Sequence, residues 1–357
     1  MMKVVIVGGV AGGASTAARL RRVDEEAEIV MLERGPYISF ANCGLPYHIG
    51  EVIEDRDRLL VVTPESLKAM LNIDSRVEHE VLHINRGEKT VMVRDLTSGK
   101  TYEESYDKLV LSPGAAPLVP PLPGVDLPGV FTLRNLPDMD RIKAFVDQEK
   151  PARAVVVGGG FIGLEIAENL QHRGVQVTLI EMLNQVMAPI DYEMAALVHQ
   201  HLSFKRIRLA LGDGLKSISQ ADSGWLEVRT ASDRSVDAQM VILSIGVRPE
   251  NQLAKDAGLD LGLRGTVKTN AHMQTSDPDI YAVGDAVELT SLITGEPTTL
   301  ALAGPASRQG RVAADHIAGR DAAFKGVIGT SVVKIFDLTV ASVGLNAKQL
   351  DDASLDY

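Results

Sequence analysis

Two stretches of the chain repeat one pattern of apolar and polar positions. A run without polar residues, Val4 to Val7, enters a glycine cluster. Helical spacing follows from Ala14 to Arg22, and a second apolar run, Ile29-Val30-Met31-Leu32, ends on Glu33. The plan recurs in Ala154 to Val157, Gly158-Gly159-Gly160, a helix reaching His172, and Val177-Thr178-Leu179-Ile180 ending on Glu181. Each copy reads as a strand–helix–strand unit, and strands that are apolar throughout suit a parallel sheet covered on both faces. The copies also close alike: Leu109-Val110-Leu111-Ser112-Pro113-Gly114 is echoed by Val241-Ile242-Leu243-Ser244-Ile245-Gly246. Before each closing run lies an alternating stretch with turn residues, Val77 to Asp95 around Asn85-Arg86-Gly87 and Ser217 to Thr230 around Asp222-Ser223-Gly224. That alternation predicts a small antiparallel meander in each copy.

The first copy carries an insertion between its second strand and its meander. The insertion holds Cys43, and Thr63-Pro64 within it has the order of a helix cap followed by proline in the first turn. Pro113 to Gly129 reads as a crossing linker. Farther on, Ile280-Tyr281-Ala282-Val283-Gly284-Asp285 is another short strand turning at a glycine. From about Lys325 the pattern becomes β-rich, with Val332 to Phe336 and Thr339 to Val343. The expected class is α/β, with two Rossmann-like three-layer nucleotide-binding domains and the start of an α+β domain.

Composition narrows the function classes. A chain of 357 residues can form two or three domains, and 45% hydrophobic content is ordinary for a globular protein. No apolar run approaches the ~20 residues of a membrane-spanning helix. The apolar start is short and enters a glycine turn, so it reads as a strand rather than a signal peptide. A net charge of −11 argues against nucleic acid or an anionic membrane as partner. The single cysteine excludes an internal disulfide, and a reducing cytoplasm is the expected compartment. None of the eight histidines has metal-ligand spacing, and His79 and His83 fall in a strand pattern. No metal site is expected.

Gly158, Gly160 and Gly163 form a complete dinucleotide fingerprint. In such a motif one glycine makes the turn, the next lets backbone approach a pyrophosphate, and the last lets helix pack on strand. The pyrophosphate sits at the helix N-terminus, where free N–H groups favour an anion. Glu181, at the following strand end, suits the two ribose hydroxyls and would repel a 2′-phosphate. Met182-Leu183-Asn184 supplies no compensating cation, so NADH is favoured over NADPH. In the first copy Gly8, Gly13 and Glu33 fit, Val10 takes the middle slot, and Gly9 and Gly12 still thin the loop. With the duplication and the Gly284-Asp285 turn, a second nucleotide, FAD, is expected there. A plain turn aspartate is the competing reading of Asp285.

These residues resemble the pyridine nucleotide–disulfide oxidoreductases, specifically the single-cysteine branch. That branch contains CoA-disulfide reductases, NADH oxidases and peroxidases, and NADH-dependent persulfide reductases. The resemblance runs through the whole chain and is carried by residues 8–13, Ser39-Phe40-x-x-Cys43, Ser112-Pro113-Gly114, residues 158–163 and Gly284-Asp285. It implies a glutathione-reductase-like fold. A discontinuous FAD domain would cover 1–117 and 247–324, an NAD domain 118–246, and residues 325–357 would begin an interface domain truncated here. Two subunits would complete each other's sites through that domain, as a homodimer. For FAD it implies Gly8, Gly9, Ala11, Gly12, Gly13, Glu33, Arg34, Asn42, Val81, Ser112, Gly114, Gly284, Asp285 and Ala303. For NAD it implies Gly158, Gly160, Phe161, Ile162, Gly163, Glu181 and Gly246. It places Ser15, Arg19, Arg22, Ser39 and Asn42 along a CoA substrate path, and Cys43 beside the flavin.

Pro46 fits only the first turn of a helix, so a helix is expected to begin near Asn42 or Cys43. A thiol there would see unpaired N–H groups and ionise below its usual pKa of about 8.5. The bland alternative is a buried cysteine acting as a small hydrophobe. In the implied cycle NADH reduces the flavin. The thiolate then attacks a sulfur of a CoA disulfide or persulfide, leaving a mixed disulfide that the reduced flavin resolves. Arg19 and Arg22 share one helix face and could take CoA phosphates, although cations near a helix C-terminus also simply suit its dipole. Peroxide- and oxygen-reducing relatives usually carry a histidine where Ala11 stands, which tilts the expectation towards sulfur substrates. Three alternatives stay open. They are an NADH oxidase or peroxidase forming a Cys43 sulfenate, a ferredoxin- or rubredoxin-reductase-like electron-transfer flavoprotein, and a nucleotide-holding protein without turnover.

Overall fold

A computed structural model describes residues 1–357. The chain packs as two compact units. One comprises Met1–Phe40, Leu60–Ala116 and Arg248–Ile328; the other comprises Ala41–Leu59, Pro117–Val247 and Gly329–Tyr357.

In the first unit the strand Lys3–Val7 is central to a parallel five-stranded sheet. Glu28–Glu33 and then Asp74–Val77 extend it on one side, Lys108–Leu111 and then Ile280–Ala282 on the other. Val4, Val5 and Ile6 are fully buried, as strands covered on both faces require. The helix Ala11–Val23 contributes Ala17 and Leu20 to this core, and the meander His79–Asn85, Thr90–Asp95, Thr101–Ser105 contributes Val91 and Val93. A bulge between Val81 and His83 lets Val81 and Ile84 both face the core, while His83 is exposed. The helix starts three residues' worth of glycine and alanine earlier than its periodicity suggests. Gly12 and Gly13 read as loop but are helical, and each stands where an added Cβ would collide with a neighbouring atom.

The second unit repeats the plan. Arg153–Val157 is central, flanked by Gln176–Glu181 and Arg208–Leu211 on one side and by Met240–Leu243 and Val130–Phe131 on the other, all parallel. Here the outer strand Val130–Phe131 comes from chain preceding the copy, so the linker ends by completing a sheet. The meander Leu215–Gln220, Leu226–Thr230, Ser235–Ala238 packs Ile218, Leu226 and Val228 against Val155 and Val157. The α/β class with two Rossmann-like nucleotide folds is thus what the chain forms.

Elsewhere the expected Thr63 cap is present: its hydroxyl accepts the Ser66 N–H, and the helix runs Pro64–Leu71. The β-rich end forms the hairpin Thr330–Ile335 with Leu338–Val343, followed by the helix Ala347–Asp352.

The packing units differ from the domain limits expected from sequence. Residues Ala41–Leu59, which include Cys43, and the C-terminal residues Gly329–Tyr357 both pack with the second unit. The reasons are specific. Gly50 lies so close to Asn169 that a Cβ there would stand 2.0 Å from Asn169 Oδ1. Arg56 forms a two-point ion pair with Asp140 at 2.7 and 2.8 Å. Arg173 donates to the Ile49 carbonyl at 3.0 Å, and the Phe336 N–H donates to the buried Glu168 carboxylate at 2.7 Å.

Candidate active site

The glycine loop of the first unit is shaped by contacts that exclude any side chain. Gly8 has φ +98°, and a Cβ on it would stand 2.1 Å from the Ser112 carbonyl oxygen. A Cβ on Gly13 would meet the Gly8 oxygen at 1.8 Å, and one on Gly12 the Ser112 Oγ at 2.6 Å. Glu33 braces the loop: one carboxylate oxygen accepts the Gly9 N–H at 2.8 Å and the other the Gly35 N–H at 2.7 Å. The helix Ala11–Val23 then begins with no side-chain cap and no acid in its first turn. Its leading N–H groups are left for another acceptor, the condition for an anion site. The helix Ala303–Ile317 starts in the same uncapped way, with Ala303 exposed in its first turn. Gly284 has φ +87° and donates its N–H to the buried Gln309 side chain at 2.6 Å, while Asp285 beside it is half-buried. Gly114 turns at φ +73° after Ser112, and Val81 is almost wholly buried.

The second unit reproduces this geometry closely. Gly158 has φ +108° with its Cβ position 2.3 Å from the Ser244 oxygen, and a Cβ on Gly163 would stand 2.0 Å from the Gly158 oxygen. Glu181 accepts the Gly159 N–H at 2.6 Å and the Leu183 N–H at 2.8 Å. A Cβ on Gly160, in contrast, would meet nothing within 4 Å. That glycine faces open space at the start of the uncapped helix Phe161–His172, whose first turn holds Phe161 and the exposed Ile162 and no acid. Bare backbone, free N–H groups and a nearby carboxylate fit a dinucleotide. Gly246, with φ +116°, is exposed at the end of the closing strand.

Cys43 lies in the single turn Asn42–Gly44, which leads into the five-residue helix Leu45–Ile49 with Pro46 in its first turn. Cys43 and Asn42 are exposed, and the Asn42 side chain donates to the Arg134 carbonyl at 3.3 Å. The expected lowering of the thiol pKa is not found. Although Cys43 reaches the surface, loss of water around the sulfur and then the charge of Glu165 push its pKa up, outweighing its backbone hydrogen bond. The helix starts after Cys43 and is too short to supply the field expected of it.

The residues around this thiol were not singled out by sequence reading. The Tyr47 hydroxyl donates to Glu165 Oε1 at 3.5 Å. Burial, reinforced by the Glu168 charge, pushes the Glu165 carboxyl up to about 7, against the opposing hydrogen bond from Tyr47. Burial and then the same two carboxylates push Tyr47 up to about 12. Glu165 follows the last fingerprint glycine by two positions, and Tyr47 follows Pro46. No motif marks them, because their pairing depends on the packing of helix Leu45–Ile49 on helix Phe161–His172.

Two proposed ligand-binding cations are already engaged. Arg19 makes a two-point ion pair with Asp315 at 3.0 Å for each contact, so its guanidinium already has a carboxylate partner. Arg34 is likewise paired with Glu250 at 2.7 and 2.8 Å. Arg22 is exposed and Ser15 half-buried on the same helix. Ser39 holds a left-handed φ of 44° and donates its N–H to the Gly9 carbonyl at 2.8 Å.

Residues 2–310 match the pyridine nucleotide-disulphide oxidoreductase family. The chain belongs to it. Coenzyme A disulfide reductase of Staphylococcus haemolyticus (strain JCSC1435) is 38% identical over 351 residues, covering 98% of this chain and 78% of that protein. Among solved structures, the reduced CoADR-RHD of Bacillus anthracis superposes with a TM-score of 0.97 at 55% identity, and a NAD-dependent persulfide reductase from A. fulgidus with 0.96 at 38%. Each superposition covers 99% of this chain, which spans 64% of the first and 66% of the second. The chain is therefore shorter than two thirds of each of those two chains. No helix is long and apolar enough to cross a membrane.

Proposed function

We propose that this family member is a flavoprotein reductase that uses NADH to reduce a CoA-type disulfide or persulfide through its one cysteine, Cys43. The observation that carries the reading is the lone thiol, in a chain with two nucleotide-shaped loops and a coenzyme A disulfide reductase as a relative. The loop 8–13 with Glu33, Ser112, Gly114, Gly284, Asp285 and Ala303 would hold FAD. The loop 158–163 with Phe161, Ile162, Glu181 and Gly246 would hold NADH. When bound, FAD supplies the two-electron relay between a hydride donor and a thiol that protein side chains lack.

The chain's own residues have distinct tasks. Glu33 and Glu181 lock the loops by accepting backbone N–H groups, and each carboxylate retains lone pairs for ribose hydroxyls. The thiolate of Cys43 attacks one sulfur of the substrate; the S–S bond breaks, a thiol or hydrosulfide departs, and a mixed disulfide remains. Ala11 carries no group able to protonate a departing oxygen, which supports sulfur over peroxide as substrate. Arg22, exposed and without the carboxylate partner that occupies Arg19, would meet CoA phosphates, along a path with Ser15 and Ser39. A homodimer completing the site through the C-terminal hairpin region, in a cytoplasmic setting, belongs to the same reading.

The test compares NADH oxidation with CoA persulfide, CoA disulfide and hydrogen peroxide, in the native protein and in Cys43→Ser. Sulfur-substrate turnover abolished by the substitution is expected. Turnover of peroxide alone would replace this reading by an NADH peroxidase, and full activity in Cys43→Ser by an electron-transfer flavoprotein.

A further inference from the structure

At the strand starts of the second unit, the ends remote from its glycine loop, the chain forms an open cleft of about 710 Å³. Arg153, Arg206 and Arg208 line it, and Asp237 is its one acid. All three arginines are exposed and none has a carboxylate partner; the Arg153 guanidinium lies over the Trp225 ring at 5.5 Å. The strand register brings them together. Arg153 pairs with Gln176 at the starts of two adjacent strands, and Arg208 pairs with Thr178 at the start of the third. Side chains alternate along a strand, so these four share the sheet face of Val155 and Ile180. The meander on that face buries Val155 and Ile180 completely but leaves Thr178 half-buried and the strand starts open.

Arg206 reaches the cleft from the turn before the third strand. It has φ +64° after the helix Tyr192–Phe204, and the Ile207 N–H returns to the Leu202 carbonyl at 2.9 Å. The helix Phe161–His172 ends in the same turn, with Gly174 at φ +81° and the Val175 N–H on the Leu170 carbonyl at 3.1 Å. Glycine takes this left-handed turn freely and an arginine is strained there, so the turn does not explain Arg206.

The first unit is an internal control. Its equivalent strand starts pair Lys3 with Glu28 and Val30 with Asp74. Both cations there are neutralised: Lys3 by Glu28 and Glu104 at 3.1 and 2.5 Å, and Arg76 by Asp74 and Glu104 at 2.6 and 2.5 Å. In the second unit Gln176 stands where the first has Glu28, and Arg208 where it has Asp74. Val236 takes the place of Glu104, at the same spacing before the closing strand. The neutralising acids have no counterparts, in a chain whose net charge is −11.

We propose that this cleft binds a small anion carrying two or more phosphoryl groups, at a site separate from the NADH loop. Guanidinium forks take phosphoryl oxygens two at a time. Three arginines against Asp237 leave two uncompensated positive charges, which suits a diphosphate better than a monoanion. The volume falls within the roughly 300–1,000 Å³ of small-molecule sites. The inference goes beyond the reductase reading and does not depend on it.

Trp225 is the only tryptophan, so its emission reports on the cleft. Titrating the holoprotein with inorganic pyrophosphate, without divalent cations, should change that emission saturably and give a one-to-one calorimetric isotherm. Orthophosphate should bind at least about tenfold more weakly, because it engages fewer guanidinium forks. Arg208→Asp, which restores the acid of the first unit, should weaken pyrophosphate binding at least about tenfold. Arg206→Gly should do the same while relaxing its turn, so this variant folds at least as well as the native protein. Saturating NADH should leave pyrophosphate affinity unchanged. Absence of saturable binding, equal affinity for orthophosphate, unchanged affinity in either variant, or displacement by NADH would each overturn the proposal. No turnover enters these measurements, so their failure is distinct from failure of the reductase assignment, which Cys43→Ser tests.

Discussion

The Glu181 carboxylate accepts the Gly159 N–H at 2.6 Å, and Glu33 does the same for Gly9 at 2.8 Å. In each unit the acid at the second strand end therefore clamps the loop that would receive the nucleotide, before any ribose is considered. Loop shape and ribose recognition share one carboxylate.

Glu181→Gln keeps the size of the side chain but loses the charge-assisted bond. We expect the dissociation constant for NADH to rise about tenfold, worth about 1.4 kcal/mol, with a smaller loss for NADPH. Titration of both nucleotides by intrinsic fluorescence or calorimetry checks this. Equal losses for the two would show that Glu181 only shapes the loop.

Gly160 and Gly163 should respond oppositely to the same substitution. Gly163→Ala forces a methyl to 2.0 Å from the Gly158 oxygen and should destabilise the second unit by about 3 kcal/mol. Gly160→Ala meets no protein atom within 4 Å, so thermal unfolding should be unchanged while NADH binding weakens. A stable Gly163→Ala protein would contradict the packing described here.

Arg19 and Arg22 are distinguished by their partners. Removing Arg19 strands Asp315, and Arg19→Met should cost about 1 kcal/mol of stability while leaving KM for a CoA substrate nearly unchanged. Arg22→Ala should leave stability unchanged and raise that KM. Denaturant unfolding together with steady-state kinetics separates the two effects.

The raised Glu165 carboxyl also has a signature in stability. Folding lifts its pKa from an ordinary 4.5 to about 7, so the folded state binds more protons between those values. Stability from this group is complete below about 4.5 and is lost as pH climbs to 7, because a desolvated charge must then form. The fall amounts to at most about 3 kcal/mol. Glu165→Gln should flatten the native decline in unfolding free energy over that window. An unaltered pH profile would mean the carboxyl is hydrated like a surface glutamate.

Strand–helix–strand repetition, both glycine loops, the meanders and the lone thiol were legible in the sequence, because each depends on residues close together along the chain. Strand burial follows from unbroken apolar runs such as Val4 to Val7, and a glycine whose Cβ position is filled by backbone must be glycine in any reading. Tertiary structure alone decided which unit the Cys43 segment joins, since that rests on Gly50 against Asn169 and on pairs such as Arg56 with Asp140. It also decided that Arg19 answers Asp315 rather than solvent, and that the Cys43 thiol is raised rather than lowered. Charge and hydration at a side chain are set by whatever distant chain packs beside it, and for Cys43 that neighbour is Glu165, which no local pattern announces.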